Sequence, residues 1–257
     1  MKKENDKNIL LAAGGTGGHL YGAESLASEL SLRGFNPFLF TDKRVGHLVK
    51  GFTQGNVKEI FSATFTNTSF YKWPFVVFKI LLGFMSSLIL IKKIKPKAVV
   101  GFGGYPTIPV IFAAKVCGLK IIIHEQNIIL GRANKLLIKL ADIISLGFEN
   151  TVGVPKNYRK KVYFSGNPIR KDILKYQNPY QALTENYKFK LVIFGGSQGA
   201  SFFSKTIPPS LGMLSNKKKS FLKVFHQVRL EEVEHIKNFY NSEGIDAEVS
   251  NFFYELP

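Results

Sequence analysis

A glycine-rich stretch near the start of the chain, "GGTGGH" at residues 14–19, is followed at once by a helical pattern. Glycines let backbone N–H groups approach an oxyanion closely, and Thr16 adds a hydroxyl donor. We therefore expect Thr16, Gly17 and Gly18 to bind a phosphate or diphosphate. His19 would lie in the first turn of the helix, where its imidazole can act as a general base or simply order the loop as a polar residue.

Polar and glycine-rich turns follow other predicted strands. Glu125, in "HEQN" at residues 124–127, is the second candidate for the base, and the residues alone leave the choice between His19 and Glu125 open. Glycine-rich turns recur at "GFGGYPTIP" (101–109) and "GGSQGA" (195–200). Each turn by itself is equally well a tight strand-to-helix connection. Three of them at strand ends favour phosphorylated ligands, because helix N-termini there offer unpaired N–H groups.

Familiar nucleotide motifs do not fit the first loop. The dinucleotide pattern G-x-G-x-x-G would need glycine where Leu20 stands, and the P-loop would need a Lys-Ser or Lys-Thr pair. Asp42, after the second predicted strand, leaves a dehydrogenase as a weaker alternative. The sequence has no D-x-D and no cluster with metal-ligand spacing, so we predict neither a metal nor another cofactor. Ser197 and Arg170 would then help to stabilise a departing diphosphate.

The pattern of elements predicts an α/β protein with parallel sheets, because short apolar runs alternate with longer helical patterns. A second unit of strand, glycine loop and helix begins at residue 189, which predicts two domains, 1–168 and 169–257, with the second cut short. Helices are expected at 19–34 and 131–141. Strands are expected at 8–13, 37–41, 97–102, 120–125, 142–147 and 161–166 in the first domain, and at 190–195, 222–227 and 246–251 in the second.

The charge composition indicates which classes of partner the protein attracts. The 257 residues carry a net charge of +17, and eight lysines but no acidic residue lie between Glu59 and Glu125. Such a field attracts anionic lipid or phosphorylated ligands, although a lysine-rich genome explains the overall charge equally well. We do not expect nucleic acid as a partner. Cys117 is the single cysteine, which excludes an internal disulfide and is typical of a reducing cytoplasm, and the first residues do not resemble an export signal.

Five motifs together carry a resemblance to a known family. "AAGGTGGH", "VGFGGYPTIP", "HEQN", "SGNPIR" and "FGGSQGA", in this order and at these spacings, closely resemble the MurG family of bacterial N-acetylglucosaminyltransferases. The resemblance implies a GT-B fold, with two Rossmann-like doubly wound domains facing a cleft and no metal requirement. It implies an inverting transfer of N-acetylglucosamine from UDP-N-acetylglucosamine to the C4 hydroxyl of undecaprenyl-diphospho-N-acetylmuramoyl-pentapeptide (lipid I), giving lipid II for peptidoglycan.

The resemblance also assigns roles to residues. His19 would be the base, and Asn127, Arg170 and Ser197 would bind the nucleotide sugar, with Gln198 beside Ser197. The remaining expected contacts are Thr16, Gly17, Gly18, Gly103 and Gly104 to phosphates or sugar, and Phe253 to the uracil. The chain departs from the family where Tyr21-Gly22, Leu130 and Arg229 stand, and it stops at Pro257. That end leaves a truncated acceptor-binding or split-transferase subunit as the alternative function.

An apolar segment at residues 72–93 decides how the protein would meet lipid. It holds the single charge Lys79 between Pro74 and Ile91, and lysines flank it. This pattern favours a helix that lies in the interface beside anionic headgroups, with a core helix or a membrane span as alternatives. The family resemblance implies peripheral association with the cytoplasmic face of the cell membrane, where a polyprenyl acceptor is found.

Overall fold

The computed structural model describes residues 7–15, 17–43, 52, 56–64, 69–175, 188–195 and 201–253. The chain divides into two compact units, Met1–Leu174 and Lys175–Pro257. The division falls six residues after the domain boundary expected from the sequence, so that Arg170 belongs to the first unit.

The first unit contains a seven-stranded parallel sheet, which confirms the α/β class and all six strands predicted there. The strand order is β3-β2-β1-β4-β5-β6-β7, so the chain reverses its direction of progress across the sheet between β1 and β4. The strands are β1 (Asn8–Ala12), β2 (Asn36–Thr41), β3 (Val57–Glu59), β4 (Ala98–Gly101), β5 (Lys120–Glu125), β6 (Ile143–Leu146) and β7 (Val162–Phe164). The edge strand β3 was not predicted, since its three residues form no apolar run.

Helices cover the sheet on both faces. Alternate residues of β1 and of the position after it belong to different apolar clusters, with Leu10 and Ala12 in one and Leu11 and Ala13 in the other. This is the pattern of a central strand packed on both sides. The helices are α1 (Gly17–Leu32), α2 (Trp73–Ile94), α3 (Thr107–Val116), α4 (Arg132–Leu137) and α5 (Lys171–Leu174), with 3₁₀ turns at Phe70–Lys72, Ile138–Leu140 and Lys156–Lys161.

Helix α2 packs on the unit through one narrow face. Its buried residues are Val76, Gly83, Ser87 and Ile91, and its main neighbour is α3. Gly83 is required because a Cβ there would overlap the carbonyl oxygen of Phe61. Within the described residues, 70–94 is long and apolar enough to cross a membrane by length and composition alone, a test that a core helix also passes.

The second unit has a three-stranded parallel sheet in the order β10-β9-β8, which confirms the three strands predicted there. The elements are β8 (Phe189–Ile193), α6 (Ser201–Gly212), α7 (Asn216–Ser220), β9 (Leu222–Gln227), a 3₁₀ turn (Leu230–Glu232), α8 (Val233–Ser242) and β10 (Asp246–Ser250). His226 and Tyr240 are fully buried in its core, where Nδ1 of His226 and the Tyr240 hydroxyl lie 3.0 Å apart. Burial lowers the pKa of His226 to about 4, and the negative charge of Glu232 opposes this shift less strongly.

Candidate functional site

Two glycine loops meet at the carboxyl edge of the first sheet. Ala12 of β1 pairs with Gly101 of β4, and the Phe102 N–H donates to the Ala12 carbonyl (2.8 Å), so the strands end side by side. This is the point where the strand order reverses, and ligands of open α/β sheets bind there. The loops that follow β1 and β4 are therefore neighbours.

The two loops are in close contact because glycine occupies the contact points. A Cβ on Gly14 would lie 2.7 Å from Cγ of Pro106, and a Cβ on Gly104 would overlap the Gly14 carbonyl oxygen. Gly104 also has a φ of +81°, a conformation that residues with a side chain rarely adopt. The glycines at 14 and 104 thus bring two strand-to-helix loops into a single surface.

His19 lies in the first turn of α1, half-buried, against the second of these loops. Its ring carbons Cε1 and Cδ2 come within 3.4 and 3.5 Å of where Cβ atoms on Gly103 and Gly104 would stand. Nδ1 lies 3.0 Å from Oε1 of Gln126, and since an amide oxygen only accepts, Nδ1 donates. A neutral ring held in this way carries its lone pair on Nε2, which is the atom a general base needs.

Glu125, the other candidate base, is almost fully buried, with 1% of its surface exposed. Oε1 accepts from the N–H and from Nδ2 of Asn127 (both 2.9 Å), and Oε2 accepts from the Gly131 N–H (2.8 Å) and Nδ2 of Asn134 (2.9 Å). Four donors satisfy both oxygens inside the protein. This carboxylate fixes the turn after β5, which carries Gln126.

Two family models match the chain. The glycosyltransferase family 28 N-terminal domain matches residues 9–145, more than half of the chain, and the C-terminal domain of the same family matches residues 190–257. The chain belongs to glycosyltransferase family 28.

Named relatives of this family 28 chain include proteins from two Brucella species. A Brucella abortus (strain S19) protein, "UDP-N-acetylglucosamine--N-acetylmuramyl-(pentapeptide) pyrophosphoryl-undecaprenol N-acetylglucosamine transferase", is 40% identical over 98% of this chain. A protein of the same name from Brucella suis biovar 1 (strain 1330) is also 40% identical over 98% of the chain. The chain spans 66% of the length of each of these relatives.

Solved structures agree with this family assignment. MurG from Acinetobacter baumannii has a TM-score of 0.68 and 25% identity, over 97% of this chain and 67% of that one. CalG4, the calicheamicin glycosyltransferase, has a TM-score of 0.60 at 13% identity, over 97% of this chain and 70% of that one, and so shows the fold alone.

The predicted site residues fall into two groups in this family 28 chain. The first unit brings together His19, Gly103, Gly104 and Glu125, and it places Gly17 and Gly18 at the N-terminus of α1. Asn127 is exposed, with its amide nitrogen engaged by Glu125. The second group comprises Thr16, Ser197 and Gln198, which lie outside the described residues, and Phe253, which is half-buried in the second unit with its ring 6.3 Å from that of Phe225.

Arg170 lies on the first unit beside α1. Its guanidinium carbon stands 5.0 Å from the centre of the Tyr21 ring, and that ring also lies 3.3 Å from where a Cβ on Gly17 would stand. Lys171 adds an ion pair to Glu29 of α1 (3.6 Å). Tyr21 is one of the departures from the family pattern, and it holds a cation near the helix N-terminus where we expect a phosphate.

Gln126 and Asn134 were missed as site residues. Asn134 is buried, donates to Glu125 and to the His124 carbonyl, and has an Oδ1 with no hydrogen-bond partner among the described residues. A signal for Asn134 was present, because it falls on the buried face of α4 three residues before Leu137. No pattern identifies Gln126, since its role depends on how the turn after β5 points toward α1.

His124 supports the same turn from the other side. It is buried, and its Nε2 lies 3.2 Å from the Gly166 carbonyl, which accepts from it. Burial lowers the pKa of His124, against smaller opposing effects of the Gly166 carbonyl and of Glu125. Within the described part of the chain, no three His, Cys, Asp or Glu side chains group closely enough to hold a metal ion.

Proposed function

We propose that this chain is part of an inverting transferase that moves N-acetylglucosamine from UDP-N-acetylglucosamine to the C4 hydroxyl of lipid I, giving lipid II. The observation that carries the proposal is the arrangement at the carboxyl edge, where His19 follows the first glycine loop and lies against the second, and where its Nε2 makes no hydrogen bond with a described residue. The names of the 40%-identical relatives support the choice of donor and acceptor.

In this mechanism His19 acts as the general base. Its Nε2 takes the proton of the acceptor hydroxyl as that oxygen attacks C1 of the donor sugar, and the bond from C1 to the UDP oxygen breaks. The hydroxyl oxygen is a weak nucleophile until the proton leaves, so the position of Nε2 governs the rate. UDP departs with the electron pair of the broken bond, and the configuration at C1 inverts.

The residues around His19 position it. Gln126 fixes the ring orientation through Nδ1, and Glu125 fixes Gln126 by holding the backbone and side chains of the turn that follows β5. We therefore assign Glu125 a positioning role and leave the proton transfer to His19. The N-terminus of α1 and the cation of Arg170 would stabilise a substrate diphosphate.

The test is a transfer assay with labelled UDP-N-acetylglucosamine and a short-chain lipid I analogue, run with and without EDTA. We expect labelled product in both, and a loss of about a hundredfold or more for His19→Ala. His235→Ala is the matched control, since His235 is exposed in the second unit. A near-normal rate for His19→Ala would remove His19 from the mechanism, and acceptor binding without product would favour the acceptor-binding alternative.

We further propose that α2 docks the protein on the cytoplasmic face of an anionic membrane. The exposed side of α2 carries large apolar residues at spacings of three and four, so they form one stripe along the helix. The stripe consists of Phe75, Phe78, Leu82, Met85 and Ile89. Lys79 lies 4.5 Å from the centre of the Phe75 ring, and Lys92 and Lys93 end the helix. An apolar stripe with flanking lysines suits the headgroup boundary of an anionic bilayer.

Docking is tested by sedimentation with vesicles. We expect binding to phosphatidylglycerol vesicles to exceed binding to phosphatidylcholine vesicles. Phe78→Ser should weaken binding by about five- to tenfold, because half of a Phe side chain is worth roughly 1 kcal/mol on transfer from water. Leu32→Ser is the control, since Leu32 is exposed on α1 away from the stripe. Equal loss in the two variants would contradict docking through α2.

A further inference from the structure

A depression of about 420 Å³ lies at the opposite edge of the first sheet from His19. It is formed where α2 ends before β4 and where α3 ends before β5, at the amino ends of those strands. Its volume is in the range of sites for small ligands. The lining residues are Ile91, Lys92, Lys95, Pro96, Cys117 and Leu119.

The lining combines an apolar floor with a cationic rim. Ile91 and Pro96 are buried, whereas Lys92 and Lys95 are exposed and make no ion pair with a described residue. The C-terminal ends of α2 and α3 contribute about half a negative charge each. Two lysines therefore leave the depression with a net positive charge of about one. An anion with an apolar portion matches this lining.

The position of Lys92 relates the depression to the docking stripe. Lys92 follows Ile89 by three residues, so it continues the row that runs from Phe75 along the exposed side of α2. On α3, Phe112 and Val116 are also exposed, next to the wall formed by Cys117. The depression is thus continuous with apolar surface that we propose lies at the headgroup boundary.

We propose that this depression binds the headgroup of an anionic phospholipid, with its phosphate between Lys92 and Lys95 and its glycerol and first acyl carbons on the apolar floor. The inference rests on the proposed docking of α2 and adds to it a defined binding site for one lipid class. Docking by the stripe alone would need no such site.

Cys117 makes the proposal directly testable, because it lines the depression and is the single cysteine of the chain. The measurement is the rate at which N-ethylmaleimide alkylates Cys117 in the unmodified chain, in the presence of soluble dihexanoyl lipids. We expect dihexanoylphosphatidylglycerol to slow alkylation by about fivefold or more, and dihexanoylphosphatidylcholine and inorganic phosphate to leave it unchanged. Equal slowing by phosphatidylcholine or by phosphate, or no slowing by any of them, would overturn the proposal.

Substitutions of lysine distinguish a defined headgroup site from general attraction to the positive end of α2. Lys92→Gln with Lys95→Asn should abolish the protection, and Asn is chosen because Lys95 has a φ of +52°, which Asn tolerates. Lys93→Gln is the matched control, since it removes one charge from the same helix end but does not line the depression. Equal loss in Lys93→Gln would contradict a defined site. If the double variant is not folded by circular dichroism, Lys92→Gln alone decides the outcome.

The alkylation experiment tests the headgroup site independently of membrane docking and of sugar transfer. It uses lipid below its aggregation concentration, so it needs neither vesicles nor product. If Phe78→Ser loses vesicle binding but the soluble lipid does not protect Cys117 of the unmodified chain, docking through α2 is supported and the headgroup site is refuted. Protection of Cys117 in a chain that does not sediment with vesicles would support the site and refute docking.

Discussion

Glu125→Gln distinguishes a structural carboxylate from a catalytic one. The substitution keeps the shape of the side chain but replaces one acceptor oxygen with an NH₂ donor. Whichever way the amide is turned, its nitrogen faces two donors, either the N–H and Nδ2 of Asn127 or the Gly131 N–H and Nδ2 of Asn134. The turn therefore loses two of its four hydrogen bonds.

The magnitude follows from those contacts. A hydrogen bond to a charged group contributes about 1.5–3 kcal/mol, so two bonds amount to roughly 3–6 kcal/mol. The neutral amide is cheaper to bury than the carboxylate, which offsets part of this loss. We expect the free energy of unfolding of the first unit to fall by about 3 kcal/mol. The exchange protection of the Asn127 and Gly131 amides should fall with it.

The assay is hydrogen exchange of those amides together with urea denaturation at neutral pH. The pH dependence of the residual transfer rate supplies the chemical readout. In Glu125→Gln the limb of the pH–rate profile that reports deprotonation of the base should persist, because His19 is still the base. In His19→Ala this limb should disappear. A Glu125→Gln protein as stable as the parent, with transfer reduced a hundredfold and that limb lost, would refute the positioning role.

Three further predictions address other parts of the structure. Gly104→Ala should reduce transfer at least tenfold, because its Cβ overlaps the Gly14 carbonyl and the left-handed backbone adds roughly 1–2 kcal/mol of strain. The second unit should lose about 3 kcal/mol of stability to urea as pH falls from 6.5 to 4, since the folded state holds the pKa of His226 at about 4 and the unfolded chain takes up the proton first. Tyr21→Leu should weaken the binding of inorganic pyrophosphate about threefold, measured by calorimetry, because Arg170 loses its aromatic platform.

Each of these three predictions has a matched control. Gly118 has a φ of +71° but open space around its Cβ position, so Gly118→Ala should show strain without loss of transfer. His226→Gln should flatten the pH dependence of the second unit, whereas His235→Gln should not. Tyr21→Phe keeps an aromatic ring and should bind pyrophosphate normally. A Gly118→Ala protein as inactive as Gly104→Ala, an unchanged slope in His226→Gln or a weakened Tyr21→Phe would contradict the corresponding argument.

The fold could largely be predicted from the sequence, because most of its strands are apolar runs and glycine turns follow several of them. The sequence predicts glycine turns after β1 and β4 but not that they meet, and the pairing of Ala12 with Gly101 makes them neighbours. The strand β3 could not be predicted, since Val57–Glu59 is a short edge strand with a polar composition. It is defined by its pairing with β2, which no local pattern encodes.

The choice between His19 and Glu125 could not be made from residue types. His19 follows β1 and Glu125 ends β5 in the same sheet, and both side chains are suited to proton transfer. The difference lies in their partners, because Glu125 meets donors from two, six and nine residues further along the chain. Those donors converge only when the turn after β5 and the start of α4 are folded. A buried carboxylate with every acceptor position filled is thereby distinguished from a half-buried imidazole with one nitrogen engaged.

The acid-free segment between Glu59 and Glu125 reaches both edges of the first unit. It contains α2, the depression at its end and the glycine loop at Gly103 and Gly104. Exposed lysines act over about 8–10 Å at physiological ionic strength, so those at the end of α2 would act on a lipid bound there and not on the far edge of the sheet. The phosphate binding that we propose at the glycine loop would therefore depend on local groups, namely backbone amides, the α1 terminus and Arg170. Neutralising Lys92 and Lys95 should weaken lipid binding and leave the affinity for a diphosphate unchanged.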